Sequence, residues 1–315
     1  MNTRRLILAG GSGFLGQALA KFFNSKGWEV VVLTRHPNPS SSEAREMIWD
    51  GETLGSWTDE LEGATAVVNL AGRSVDCRYT ATNRRLIMGS RVKPTRVLGE
   101  AMARCVNPPA VWLNASSATI YRHTFDEPWD EDGSDFSPTR AVGDEFSLDV
   151  IRAWEGALNE AAVPRTRVLA LRTTMVLGHA RNSVFPVLSR LARLGLGGRM
   201  GSGKQWVSWI HVEDFCRAVE WLMVHDEICG PVNVAAPHPL SNADMMRLFR
   251  KLVDMPIGLP ATEWMLEVGA FVLRTETELI LKSRRVVPGK LLASGFAFNH
   301  PTFHEAITHL QHNLP

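Results

Sequence analysis

The apolar residues fall into short continuous runs separated by stretches of helical spacing. Arg4 to Ala9 places Leu6, Ile7, Leu8 and Ala9 in a row before a glycine cluster, the pattern of a buried strand. Phe14, Leu15, Ala18, Leu19, Phe22 and Phe23 then recur at three- and four-residue intervals, which predicts a helix. Gly27 stands where a helix C-terminal glycine is expected. Trp28 to Leu33 reads as a second buried strand. Strand, glycine turn, helix and strand within about 30 residues make a βαβ unit. Such a crossover requires a parallel sheet covered on both faces.

The alternation continues. Met47 to Trp49, Ala66 to Leu70, Val111 to Ala115 and Val168 to Arg172 are further strand candidates. Helical patterns run from Asn83 to Cys105 and from Glu145 to Ala161. Pro37 to Ser42 and Asp126 to Pro138 have loop composition. The expectation is an α/β fold with a doubly wound parallel sheet. Past about Gly178 the texture changes. Helices are expected at Ser183 to Leu194, Asp214 to His225, Ser241 to Val253 and Thr262 to Leu273, with Gly195 to Gly203 a glycine-rich loop. Glu213 or Asp214 is expected to cap the helix after His211. These features divide the chain into a nucleotide-binding domain at 1–177 and a smaller mixed α/β domain at 178–315. The strand near 231–236 is a candidate to return to the main sheet.

Composition narrows the function. The 315 residues carry 34 Lys+Arg against 33 Asp+Glu, a net charge of +1, which argues against a general nucleic-acid surface. Cys77, Cys105, Cys216 and Cys229 form no C-x-x-C pair and read as reduced thiols in a cytoplasmic protein, with no metal set expected from their spacing. No apolar run reaches the ~18 residues of a membrane span. The first apolar run is broken by glycines after four residues, too short for a signal peptide, which needs about 7–15.

The strongest chemical signal is Gly10-Gly11-Ser12-Gly13-Phe14-Leu15-Gly16. Gly10, Gly13 and Gly16 give G-x-x-G-x-x-G between a strand and a helix. A dinucleotide's diphosphate can approach such a turn because side chains are absent, and the helix N-terminus offers it free N–H groups. An NAD site places Asp or Glu at the end of the second strand, about 20 residues on. Here that strand ends Leu33-Thr34-Arg35-His36, with a guanidinium in place of an acid. A charge-assisted contact of about 1.5–3 kcal/mol favours a 2′-phosphate by roughly tenfold to a hundredfold, so NADP(H) is the expected cofactor. Leu70-Ala71-Gly72 ends another strand with small residues that leave the cofactor room.

Together GGSGFLG, VVNLAG, SSATIY, ALRTTMVLG and WIHVEDF resemble the atypical extended short-chain dehydrogenase/reductases, the NAD-dependent epimerase/dehydratase superfamily. These stretches span residues 5 to about 236. The tail, with Arg285-Val286-Val287-Pro288 and Gly295-Phe296-Ala297-Phe298, is similar to the short C-terminal domain of one epimerase-like branch. The resemblance implies a Rossmann-type fold. It implies that Gly10, Gly13, Phe14, Leu15 and Gly16 line the diphosphate and that Thr34 and Arg35 hold the 2′-phosphate. Leu70 and Ala71 would flank the adenosine side, Arg91 and Val176 would touch the cofactor, and Ser117 would orient substrate.

One departure bears on catalysis. The family uses Tyr-x-x-x-Lys on a helix, the lysine lowering the phenol's pKa. This chain has two tyrosines: Asn83 follows Tyr79 by four residues, and Phe125 follows Tyr121. If Glu155 keeps its family register, Ser147 and Ile151 replace the pair. Tyr121, at a strand end, is the expected substitute acid, against the alternative of a packed Tyr with a satisfied hydroxyl. Lys204 and the glycines around it are expected to form a rim over the crevice, and Trp206 and Trp209 to stack on a ring there.

The expected function is NADP(H)-dependent, epimerase-like oxidoreduction on a small or nucleotide-linked substrate, with Ser117 and Tyr121 at the reacting centre. The alternative is a non-catalytic NADP(H)-dependent regulator or scaffold. The expected partner is a small molecule rather than nucleic acid or membrane, and a homodimer is compatible with the family.

Overall fold

The apolar run of β1 (Arg5–Ala9) is continuous because both of its faces are covered. Leu6 and Leu8 enter one core, and Ile7 and Ala9 enter another on the opposite face. The computed structural model describes residues 4–38, 43–180, 183–267 and 276–313. After β1 come α1 (Phe14–Asn24), β2 (Glu29–Thr34), β3 (Arg45–Ile48), β4 (Ala66–Asn69), α2 (Ala81–Ala103), β5 (Val111–Ser117), α3 (Glu145–Asn159) and β6 (Arg167–Thr173). β7 (Met175–Leu177), α4 (Val184–Arg193), β8 (Trp206–Val207), β9 (Trp209–His211), α5 (Val212–Val224), β10 (Gly230–Val234), β11 (Leu240–Ser241) and α6 (Asn242–Leu252) follow.

Seven strands form one sheet in the order β10-β6-β5-β4-β1-β2-β3, and every pairing is parallel. The fold is Rossmann-like. Strand order reverses between β1 and β4, so a crevice opens at their carboxyl ends. β10 returns to the sheet beside β6 from far along the chain, with Val232 opposite Leu171. Leu19 and Phe23 of α1 and Phe215, Val219 and Leu222 of α5 cover one face. Val97, Leu98 and Met102 of α2, with Trp49, Trp57 and Trp112, cover the other.

A third core lies beyond the sheet. Phe185 and Leu188 of α4, Met246 and Phe249 of α6, and Phe303, Ile307 and Leu310 of the terminal helix Phe303–His312 gather around Trp209. The helix expected from Thr262 is present over 263–267, and its remainder lies outside the described residues.

The helix after His211 starts two residues earlier than expected. α5 begins at Val212, and its cap is His211 itself, whose Nδ1 accepts the Glu213 amide at 3.1 Å. Burial, with His300 and His309 beside it, pulls this imidazole down to about 3, so the neutral ring keeps a lone pair for the cap. Asp214 instead accepts the Asn299 and His300 amides and tethers the tail.

Candidate active site

Three glycines do three different things in the turn after β1. Gly10 has φ +71°, and a Cβ there would lie 2.7 Å from Ala71 Cα. A Cβ on Gly16 would lie 2.1 Å from the Gly11 carbonyl oxygen, so α1 packs against the turn only without one. Gly13 precedes the first turn of α1, and a Cβ there would meet nothing within 4 Å. That open side, at an N-terminus with no side-chain cap, is a cradle for an anion.

The cradle opens into a cleft of about 850 Å³. Gly10, Gly13, Thr34, Arg35, Ala71 and Gly72 line it. The Ala71 amide donates to Asn69 Oδ1 at 3.0 Å, and Asn69 donates to Asn114 at 2.7 Å, so buried amides on β4 and β5 hold the small-residue turn in place. Arg35, Arg73, Arg85 and Lys93 bring four cations to the walls against the carboxylates of Asp50 and Glu52. Glu52 is paired with Lys93 at 2.9 Å. The Thr53 hydroxyl, with the Glu52 and Thr53 amides, holds Asp50 below the usual carboxylate range, so it faces the cleft ionised. The residues present fit the adenosine and diphosphate half of a dinucleotide.

Leu70 also lines a second, narrower chamber of about 260 Å³. Its walls are mostly apolar, with hydroxyls from Ser116, Ser117, Thr119, Ser147, Thr173 and Tyr79. Arg91 is its cation. The guanidinium lies 5.2 Å from the Trp154 ring centroid and donates to the Ile87 carbonyl at 3.1 Å. Burial pulls it down to about 10.

Ser147 and Ile151 both line this chamber, one turn apart on α3, where the resemblance would place Tyr and Lys. The Tyr79 phenol, which arrives from the loop before α2, lies beside Ser147 in the same lining. Ser147 in turn donates to Glu278 Oε2 at 2.7 Å. Phenol, hydroxyl and carboxylate thus lie side by side, with the hydroxyl bonded to the carboxylate. Burial pushes Tyr79 up to about 12 and also pushes the Glu278 carboxyl up. Sequence reading missed both residues. Tyr79 lacks the dyad spacing, and Glu278 lies 131 positions from Ser147.

Ser117 sits at the end of β5. Its Oγ accepts the Thr119 amide at 3.2 Å and donates to Thr119 Oγ1 at 3.1 Å. Thr119 Oγ1 also accepts from Arg284 Nε at 3.1 Å. With both its lone pairs engaged, the Thr119 hydroxyl keeps its own proton to donate.

The structure divides the expected site residues. Gly10, Gly13, Thr34, Arg35, Leu70, Ala71 and Gly72 meet in the cleft, and Leu15, Leu70, Arg91 and Ser117 in the chamber. Phe14, Gly16 and Val176 line neither. Gly16 serves helix packing, and Val176 lies opposite Ile210 where β7 pairs with β9. Tyr121 needs correction as a substitute acid. It is 2% exposed and outside both linings, its hydroxyl donates to Asn233 at 2.9 Å and accepts from Arg172 at 3.0 Å, and its ring stacks on Trp129. The packed alternative is the observed one, because the 3-10 turn at Ala118–Ile120 carries the side chain away from the strand end. The expected rim also differs. Lys204 is exposed but lines neither cavity, Trp209 is fully buried against Phe303, and the Trp206 indole donates to the Phe125 carbonyl beneath Arg285.

The sequence pattern of the NAD dependent epimerase/dehydratase family matches residues 6–235, the glycine turn through β10. The chain belongs to this family. A second pattern, a domain of unknown function (DUF1731), matches residues 261–310 of the tail. Among relatives of this epimerase-family chain, epimerase family protein ML0860 of Mycobacterium leprae is 32% identical over 310 residues, covering 96% of this chain and 94% of its own. Human epimerase family protein SDR39U1, solved with NADPH, superposes with a TM-score of 0.84 at 27% identity, over 98% of this chain and 100% of that one. A nucleoside-diphosphate sugar epimerase from Corynebacterium glutamicum gives a TM-score of 0.76 at 28% identity, over 98% of this chain and 59% of the other. Among the described residues, no helix is long and apolar enough to cross a membrane.

Proposed function

We propose that this chain is an NADP(H)-dependent oxidoreductase of epimerase type, acting on a small carbonyl or hydroxyl compound, with Tyr79 in place of the family's Tyr-Lys pair. The observation that carries this reading is the placing of the Tyr79 phenol beside Ser147, whose hydroxyl donates to Glu278, at the wall of the chamber. The relative solved with NADPH and the guanidinium of Arg35 beside the cleft support the choice of cofactor. A nicotinamide dinucleotide bound here supplies or accepts a hydride.

The protein does the rest. Ser117 and Thr119 orient the reacting oxygen, with Thr119 donating its free proton and Arg284 polarising that hydroxyl. Tyr79, neutral at physiological pH, takes the proton of a hydroxyl substrate as its own passes through Ser147 to the Glu278 carboxylate, and returns it to a carbonyl oxygen when Glu278 carries the proton. The tail supplies Glu278 and also Lys282, which donates to the Thr119 carbonyl at 2.7 Å and pairs with buried Asp144. The tail thus acts as a fixed wall of the site. A chamber of about 260 Å³ suits a small substrate better than a nucleotide-linked one.

Calorimetric titration with NADPH and NADH tests the cofactor. NADPH is expected to bind at least tenfold tighter, with the preference lost in Arg35→Ala, and equal affinities overturn the assignment. NADPH oxidation against a panel of small aldehydes and ketones tests the chemistry. Turnover that survives Tyr79→Phe unchanged removes the relay. Tight NADPH binding without turnover of any compound returns the regulator reading.

A further inference from the structure

Away from both cavities, three imidazoles and a carboxylate converge where the tail meets the start of α5. His211 ends β9, Glu213 lies in the first turn of α5, His300 precedes the terminal helix, and His309 lies on it. One ligand atom from each lies within 4.8 Å of every other. They come in two local pairs, 211/213 and 300/309, about 90 positions apart, so no single local motif announces them.

The hydrogen bonds sort the four by role. His211 Nδ1 accepts the Glu213 amide, so the proton of this neutral ring is on Nε2 and points at His309 Nδ1, 3.3 Å away. His211 therefore has no lone pair to offer a metal and serves as a donor. His300 Nε2 and Glu213 Oε2 lie 3.2 Å apart. Ligand atoms about 2.0–2.2 Å from a tetrahedral zinc are separated by roughly 3.3–3.6 Å, so this pair needs little movement to share an ion. The second oxygen of Glu213 is already fixed, since Oε1 accepts from Asn299 Nδ2 at 2.7 Å. Asp214 holds the same loop through the Asn299 and His300 amides at 2.8 and 2.9 Å. Such outer bonds orient ligands in built metal sites. His211 and His300 are buried while Glu213 and His309 are half-buried, which leaves an entry path on one side.

We propose that His300 Nε2, His309 Nδ1 and Glu213 Oε2 bind a divalent cation of the zinc class, with the His211 Nε2–H donating to a water in its fourth position. Two histidines, a carboxylate and a water form a ligand set that zinc accepts, and these nitrogen-rich donors disfavour calcium and magnesium. The ion ties the tail to the N-terminal turn of α5, against which the sheet packs.

The test uses the tag-free, chelator-stripped full chain, titrated with Zn²⁺ by calorimetry near neutral pH. One Zn²⁺ per chain is expected to bind saturably. Glu213→Gln and His309→Gln are each expected to weaken it at least tenfold while circular dichroism shows an unchanged fold. Saturating Zn²⁺ is expected to raise the thermal midpoint of the parent chain and not that of His309→Gln. Co²⁺ substitution distinguishes the ligands, with tetrahedral visible bands expected and no thiolate charge-transfer band. Absence of saturable uptake, uptake unchanged in both variants, or a thiolate band traced to one of the four cysteines each overturns the site.

Discussion

The Ser147 hydroxyl donates to the Glu278 carboxylate at 2.7 Å, joining α3 to a tail residue 131 positions away. Burial raises the Glu278 pKa above its unfolded value. A carboxyl raised on folding contributes stability that is fully present below its unfolded pKa of about 4.5 and is lost as pH rises through the folded value. Once ionised, the buried group therefore costs stability. Glu278→Gln is expected to raise the denaturant midpoint at neutral pH, to change it little in acid, and to lower turnover. Urea melts at both pH values check the first two, and steady-state kinetics the third.

Tyr79 is pushed up to about 12 by burial. It is therefore neutral throughout the working range, and no phenol limb is expected in the pH–rate profile below that value. Its contribution to stability is complete below about 10 and is lost as pH rises through about 12. Tyr79→Phe is expected to fold normally and lose on the order of 10²-fold in kcat. Phenolate absorbance in alkaline titration locates the phenol independently of activity.

Gly13 and Gly16 separate binding from folding. A Cβ on Gly13 meets only open space, so Gly13→Val is expected to leave the melting temperature nearly unchanged and to abolish NADPH binding. A Cβ on Gly16 strikes the Gly11 backbone at 2.1 Å, so Gly16→Ala is expected to lower stability whether or not cofactor is present. Thermal melts with and without NADPH distinguish the two.

Glu155 and Arg172 form a two-pronged ion pair at 2.9 and 3.0 Å behind the chamber, with side chains 13% and 5% exposed. Ser116 donates to the same carboxylate at 2.6 Å, and Arg172 also donates to Tyr121. Glu155→Ala leaves a buried guanidinium unpaired and is expected to cost about 3–5 kcal/mol in equilibrium unfolding. A loss below ~1 kcal/mol shows that water reaches the pair.

Cys216 is buried and its thiol is pushed up to about 12, whereas Cys229 is exposed. Under native conditions an aromatic disulfide reagent is expected to modify Cys229 and spare Cys216, which becomes reactive only on unfolding. Mass mapping of the labelled peptides checks the order.

What the sequence by itself determined is local or periodic. Uninterrupted apolar runs such as Leu6 to Ala9 specify strands covered on both faces, and the three-residue glycine spacing specifies a turn that backbone and anion can approach. Arg35 directly after β2, where an NAD site carries an acid, is the residue from which NADP(H) is expected. Each of these properties is carried by residues within a few positions of one another. Tertiary structure decided everything that depends on which distant segments meet. Its place after a strand makes Tyr121 the expected phenol in the sequence, and nothing local marks Tyr79. A 3-10 turn buries the first against Asn233 and Arg172, while packing against Phe146 brings the second to the chamber beside Ser147. Glu278 and Lys282 reach the site because the tail folds back over β5 and α3, and His211 caps α5 because the β9 strand ends there. Sequence separation carries no information about such distances, and burial, which sets the protonation of Tyr79 and Glu278, exists only once those segments have come together.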